Sequence, residues 1–205
     1  MATPDVVASL EAKYPNLHVL KYKALASLQI KLRDVKSSHA QFKHYADRLM
    51  RQVPSCIVSS TATIYTPTGD SFTGLLPAER VCAVSIIRAG DSLLDAVIAC
   101  DPSVSVGKIL IQRDETTVEK TPVMFYSKLP PGIESFTNTL IAAGVEEKKI
   151  TFLNVISCPE GIDTLFQAYP AVKIVTAGLD RGLNGQKYIL PGLGDYGDRY
   201  YNTVE

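Results

Sequence analysis

The sequence predicts an α/β domain: a mostly parallel sheet flanked by helices, with a β-hairpin extension. Short apolar runs alternate with amphipathic stretches, Thr and aromatic residues flank a Pro67-Thr68-Gly69-Asp70 turn, and no repeat or linker divides the chain. At 205 residues, 46% hydrophobic and 20% charged, the chain reads as one globular domain over residues 1–205.

Taken in order, roughly the first 30 residues read as polar, irregular and peripheral, interrupted by Pro4 and Pro15. Ser37 or Ser38 is placed to cap a helix that runs to about Val53 and stops at Pro54. Phe42, Ala46, Leu49, Met50 and Val53 recur at helical spacing and form its core face. Residues 62–74, within an extension of about 60–75, read as the hairpin. Residues 81–87 are a buried strand, followed by Arg88-Ala89-Gly90 and an amphipathic stretch over 92–100. A second strand over 108–112 ends in Arg113-Asp114-Glu115-Thr116, and 123–126 form a short third. Residues 150–156 and 172–177 are further strands, with a helix over 160–169 between them.

Lys+Arg and Asp+Glu both total 21, and this balance argues against nucleic acid as a partner. No apolar run is long enough for a bilayer, and none reads as a leader, so neither membrane nor export is expected. Cys56, Cys82, Cys100 and Cys158 show no CxxC spacing; no metal site is expected, and the compartment reads as cytoplasmic.

In open parallel sheets, ligands bind at the carboxyl ends of strands. Arg88 and Arg113 both follow apolar runs, and a guanidinium fork matches phosphate oxygens. Each arginine alone is read more readily as a surface ion pair; the two together shift the balance modestly toward an anionic ligand. The densest segment is 188–201, where Gly192, Gly194 and Gly197 mix with Asp195, Asp198 and four tyrosines. A tight glycine loop offers main-chain donors and acceptors to a flat heterocycle, and the carboxylates suit hydroxyls or a metal-bound group.

The stretch Ile189-Leu190-Pro191-Gly192-Leu193-Gly194-Asp195-Tyr196-Gly197-Asp198-Arg199-Tyr200, with Gly182-Leu183-Asn184 before it, resembles the uracil-binding segment of uracil phosphoribosyltransferases. Leu32-Arg33-Asp34 with Ser37-Ser38, the hairpin turn, 84–90, 107–115 and Pro159-Glu160-Gly161-Ile162 agree with that family in order and spacing. The resemblance implies a type I phosphoribosyltransferase-like fold that joins uracil to 5-phosphoribosyl 1-diphosphate, giving UMP and diphosphate, with Mg2+ on the diphosphate. It also implies a homo-oligomer, dimer or tetramer. Carried over to this sequence, Arg88, Arg113 and Asp195 contact the phosphoribosyl diphosphate, and Asp195 is the catalytic residue. Ile189, Gly194, Asp195 and Tyr196 hold uracil.

One piece of the family pattern has no counterpart. Members carry a core strand ending in an acidic residue and a small-residue loop that cradles the ribose 5-phosphate. Here 128–135 runs straight into 136–144, which resembles the tail of the helix behind that loop. A mis-spliced or mis-predicted gene product, a non-catalytic relative that binds uracil or a nucleotide, and an engineered shortening all fit this gap.

Overall fold

The computed structural model describes residues 1–54, 59–77, 81–113, 122–129 and 145–203. Its amino-terminal stretch is regular, contrary to the expectation from Pro4 and Pro15. Pro4 opens helix α1 (Pro4–Lys13), where a missing N–H breaks no intrahelical bond, and Pro15 falls in the turn before strand β1 (Leu17–Val19). Helix α2 (Lys23–Arg33) buries Leu25, Leu28, Gln29 and Leu32 on one face. Helix α3 (His39–Met50) starts at a capping box: the Ser38 hydroxyl accepts from the Gln41 N–H, and the Gln41 side chain accepts from the Ser38 N–H. Its expected core face is confirmed, since Phe42, Ala46, Leu49, Met50 and Val53 are all 1% exposed or less.

Strands β2 (Ser59–Tyr65) and β3 (Ser71–Pro77) pair antiparallel as the hairpin. Its turn closes through Thr66 N–H to Asp70 C=O at 2.8 Å, with Gly69 at φ +88°, a conformation that favours glycine. Strand β4 (Cys82–Ile87) then feeds helix α4 (Gly90–Cys100), which returns to β5 (Ser105–Arg113) parallel to β4. Strand β6 (Pro122–Lys128) turns back antiparallel on β5. Further on, β7 (Thr151–Asn154), helix α5 (Pro159–Ala168) and β8 (Lys173–Thr176) form a parallel unit, with β1 on the far side of β8. The short β9 (Gly182–Leu183) and β10 (Ile189–Leu190) pair antiparallel, and helix α6 (Tyr196–Tyr201) follows.

The expected parallel sheet is thus present as β1-β8-β7, but β4-β5-β6 forms a separate three-stranded sheet among the described residues. The segment where the sequence places the missing strand, 130–144, lies outside the described residues. Among the described residues β4 and β7 are edges of their sheets. Val84, Ile86, Phe152 and Leu153 are only half-buried, whereas Ile109 of β5 and Ile174 and Val175 of β8 are 2% exposed or less.

The main core packs α2 and α3 against Val175 and Ala177 at the end of β8, with Tyr200 from α6 and Ala96 from α4. Helix α3 therefore touches both α4 and α6. It is the element that brings the end of β4 and the carboxy-terminal loop to the same place.

Candidate active site

After β8 the chain bends at Ala177, and Leu179 then forms a parallel bridge with Ser157. Ser157 N–H donates to Gly178 C=O at 2.9 Å and Asp180 N–H donates back to Ser157 C=O at 2.8 Å, so Asp180 emerges at the carboxyl end of the sheet. The β9–β10 hairpin then leads into the loop 191–195. The Leu190–Pro191 peptide is cis, and Gly192 (φ +65°) and Gly194 (φ +81°) occupy the left-handed region. A Cβ at Gly192 would run into the Ile189 carbonyl oxygen, so the turn is as tight as glycine permits.

Two arginines fasten this loop from below. Arg33, the last residue of α2, donates to the Gly192 carbonyl at 2.9 Å. Arg199 of α6 donates at 2.6 Å to Leu193 C=O and at 2.6 Å to Leu32 C=O, and at 2.9 Å to Asp34 C=O. Its guanidinium lies 4.2 Å over the Phe42 ring, and this burial holds its pKa below the usual arginine value.

The residues expected to meet uracil fall together here. Ile189 pairs with Leu183 in the hairpin, Gly194 and Asp195 are exposed, and Tyr196 opens α6. The Tyr196 ring turns inward: its hydroxyl lies 3.0 Å from Ser92 Oγ and 3.1 Å from Met50 Sδ, and burial drives its pKa far up. Asp195 caps α6, accepting from the Asp198 N–H at 2.9 Å.

Arg88, directly after β4, reaches the same turn. It pairs with the Asp198 carboxylate and donates to Thr203 Oγ1 at 2.8 Å. Packing here is close: a Cβ at Gly197 would sit 3.2 Å from Arg88 Nη2, so the guanidinium would have to give by a few tenths of an ångström. A guanidinium carries five N–H donors, so these two bonds leave three for a ligand. The Thr203 hydroxyl and then Arg88 hold Asp198 below the usual carboxylate range. Arg113 closes β5 in backbone terms, but its side chain, like Asp114 and Glu115, lies outside the described residues. Beside Arg88, Lys108 pairs with Asp91 at 3.0 Å, and Ser85 donates to the other oxygen of Asp91 at 2.6 Å.

The comparisons with known proteins bear on this arrangement directly. The family model for uracil phosphoribosyltransferase matches residues 19–137 and 132–203. The chain belongs to the uracil phosphoribosyltransferase family. Uracil phosphoribosyltransferase 2 of Schizosaccharomyces pombe is 38% identical over 202 residues, covering 87% of this chain and 91% of that one. The uracil phosphoribosyltransferase of Saccharomyces cerevisiae is 37% identical over 211 residues, covering 92% of this chain and 97% of that one. The AQ2163 protein from Aquifex aeolicus superposes with a TM-score of 0.71 over 90% of this chain and 97% of its own, at 22% identity, a likeness of fold.

The same comparisons measure a shortfall. The yeast alignment runs over 211 positions, while 92% of 205 residues is about 189, so about 22 aligned positions have no residue in this chain. The family match breaks into two stretches that meet at 132–137, beside Ser135.

Sequence reasoning assigned no role to Asp180 or Gln29, and noted Arg33 and Arg199 only as parts of motifs. Asp180 was open to the rule that singled out Arg88, since it too follows an apolar strand. Arg199 acts on carbonyls 167 and 165 residues away, a distance no local pattern reveals. Two shallow depressions, of about 410 and 240 Å3, lie along α1 and its end, and no loop residue lines either.

Proposed function

We propose that the chain joins uracil to 5-phosphoribosyl 1-diphosphate, forming UMP and releasing diphosphate. The single observation that carries this reading is the loop 189–196. In it Gly194 and Asp195 are exposed, while Arg33 and Arg199 hold the Gly192 and Leu193 carbonyls and the Tyr196 ring turns inward. A pyrimidine edge alternates donors and acceptors, which the peptides of Gly194, Asp195 and Tyr196 match without a committed charge.

Arg88, and Arg113 from the next strand, bind the diphosphate, for which Asp198 is the resident competitor at Arg88. Their cationic charge stabilises the leaving diphosphate as the anomeric bond breaks and oxocarbenium character develops on the ribose. Asp195, exposed at the start of α6, faces the sugar-phosphate substrate and is the catalytic residue. Mg2+ arrives as part of the diphosphate substrate. No helix among the described residues is long and apolar enough to cross a membrane, and a cytoplasmic location suits these substrates.

We place the chain in a homo-oligomer, dimer or tetramer. The hairpin supports this: Ile64 and Phe72 on one face, 54% and 59% exposed, and Tyr65 and Leu75 on the other, 80% and 70% exposed, leave apolar side chains on both faces that a second copy would cover. Sedimentation of the chain and of Phe72→Lys tests it, with a monomeric wild type counting against the assignment.

The activity is tested by following diphosphate release and UMP formation from the two substrates, alongside calorimetry with uracil and with UMP. Turnover supports the proposal. Uracil binding with no turnover would make this a non-catalytic relative that holds the base, and no binding of either ligand would remove the base site.

A further inference from the structure

A buried ion pair lies beneath the loop, outside every contact assigned to the substrates. Asp180 is fully buried, the Arg33 side chain is 16% exposed, and Arg33 Nη1 donates to Asp180 Oδ2 at 2.8 Å. The same Nη1 donates to Gly192 C=O at 2.9 Å, and the Gly192 N–H donates to the same Oδ2 at 2.9 Å. One carboxylate oxygen and one guanidinium nitrogen therefore grip both polar groups of a single loop residue. Arg33 is itself aimed by Gln29, one helical turn earlier, whose Oε1 accepts from Nη2 at 3.0 Å. Gln29 Nε2 donates to Ala177 C=O at 2.6 Å, and Gly178 makes room for it, since a Cβ there would sit 2.7 Å from Nε2. The other oxygen, Asp180 Oδ1, has no hydrogen bond among the described residues and faces the Met1 ammonium at 3.6 Å.

The geometry points to Arg33 and Asp180 as positioning residues that set the orientation of the main chain reading the base. This inference rests on the uracil assignment. A loop that recognises a ligand by its peptides depends on which way each peptide faces, and glycine-rich turns have little intrinsic preference. With both polar groups of Gly192 tied to α2 and the end of β8, the exposed peptides of Gly194 and Asp195 are left toward the ligand. Stability alone gives little reason for charge at this place, because apolar residues of similar volume often replace a buried ion pair without loss. A pair that grips one peptide from both sides selects a conformation.

The experiment is uracil calorimetry on the folded chain, with Arg33→Lys and the double variant Arg33→Met/Asp180→Asn, each checked by circular dichroism. The double variant leaves no orphaned charge, and its uracil affinity is expected to fall about ten- to a hundredfold, as for other supporting contacts. Its affinity for 5-phosphoribosyl 1-diphosphate, bound farther off, stays within about twofold. Arg33→Lys stays equally weak for uracil, because one ammonium cannot reproduce the fork that meets Asp180, Gly192 and Gln29 together. If the double variant does not fold, Arg33→Lys decides alone. Wild-type uracil affinity in either folded variant, or equal losses for both substrates, would overturn the inference and leave the base site standing. A folded wild type that binds no uracil would overturn the function proposed above, and this inference with it.

Discussion

The loop 189–196 and the end of β4 meet at Arg88 and Asp198, yet they are supported very differently. The loop is fastened by Arg33, Arg199 and Asp180 from three separate elements, with Tyr196 and Tyr200 stacked 5.6 Å apart in the core below. Among the described residues β4 is an edge strand with half-buried apolar residues, and β7, an edge of the β1-β8-β7 sheet, ends at Asn154, whose buried Oδ1 has no partner there. The proposed base site is held by groups that this chain supplies to itself. On the other side, about 22 positions of the yeast relative find no match in this chain, and the family match divides at 132–137.

The strongest way to break this contrast is to supply the material. Grafting the corresponding strand and loop of the yeast relative after Ser135 is expected to raise turnover about a hundredfold or more, the scale of restored donors to a developing charge. A graft that leaves both kcat and melting temperature unchanged would show the β4 side to be complete already. Next in size, Arg88→Ala and Asp195→Ala in the grafted chain are each expected to lower kcat at least about a hundredfold. Near-normal turnover in either would remove that residue from the site.

Smaller effects sharpen the other half. Gly192→Ala forces a Cβ against the Ile189 carbonyl at φ +65°, and chemical denaturation should show a loss of about 1–3 kcal/mol together with weaker uracil binding. Tyr200→Phe removes the hydroxyl that donates to Asp47 at 2.6 Å, and should cost about 1 kcal/mol in the same measurement while sparing uracil affinity.

The smallest effect is on pH. Asp198 is lowered from its ordinary 3.8 in the folded state, so its contribution is present above that value and lost as pH falls through the lowered one. The Arg88–Asp198 link should therefore persist at neutral pH and open only in acid below the ordinary aspartate range. An NMR titration of the Asp198 carboxyl midpoint above 3.8 would contradict it.

Much of this was legible in one dimension. The core face of α3, the hairpin, the strand-and-arginine pattern at 81–88 and the glycine-rich loop rest on local periodicity and turn chemistry, and each occupies its expected place. Pro4 misled because a proline breaks a helix only in its interior, and here it stands in the first turn. The division into two sheets, the inward turn of Tyr196 and the grip of Arg33 and Asp180 on Gly192 were not legible. Each joins residues far apart in the chain, and their pairing depends on how helices and strands pack.

By itself, then, the sequence determined which segments become helices and strands and which short stretch forms the glycine-rich loop of the proposed base site. Spacing and glycine placement act over a few residues, within reach of a linear reading. Tertiary structure alone decided which side chains hold that stretch still, because a buried charge finds its counter-charge only after α2 has docked beside the end of β8.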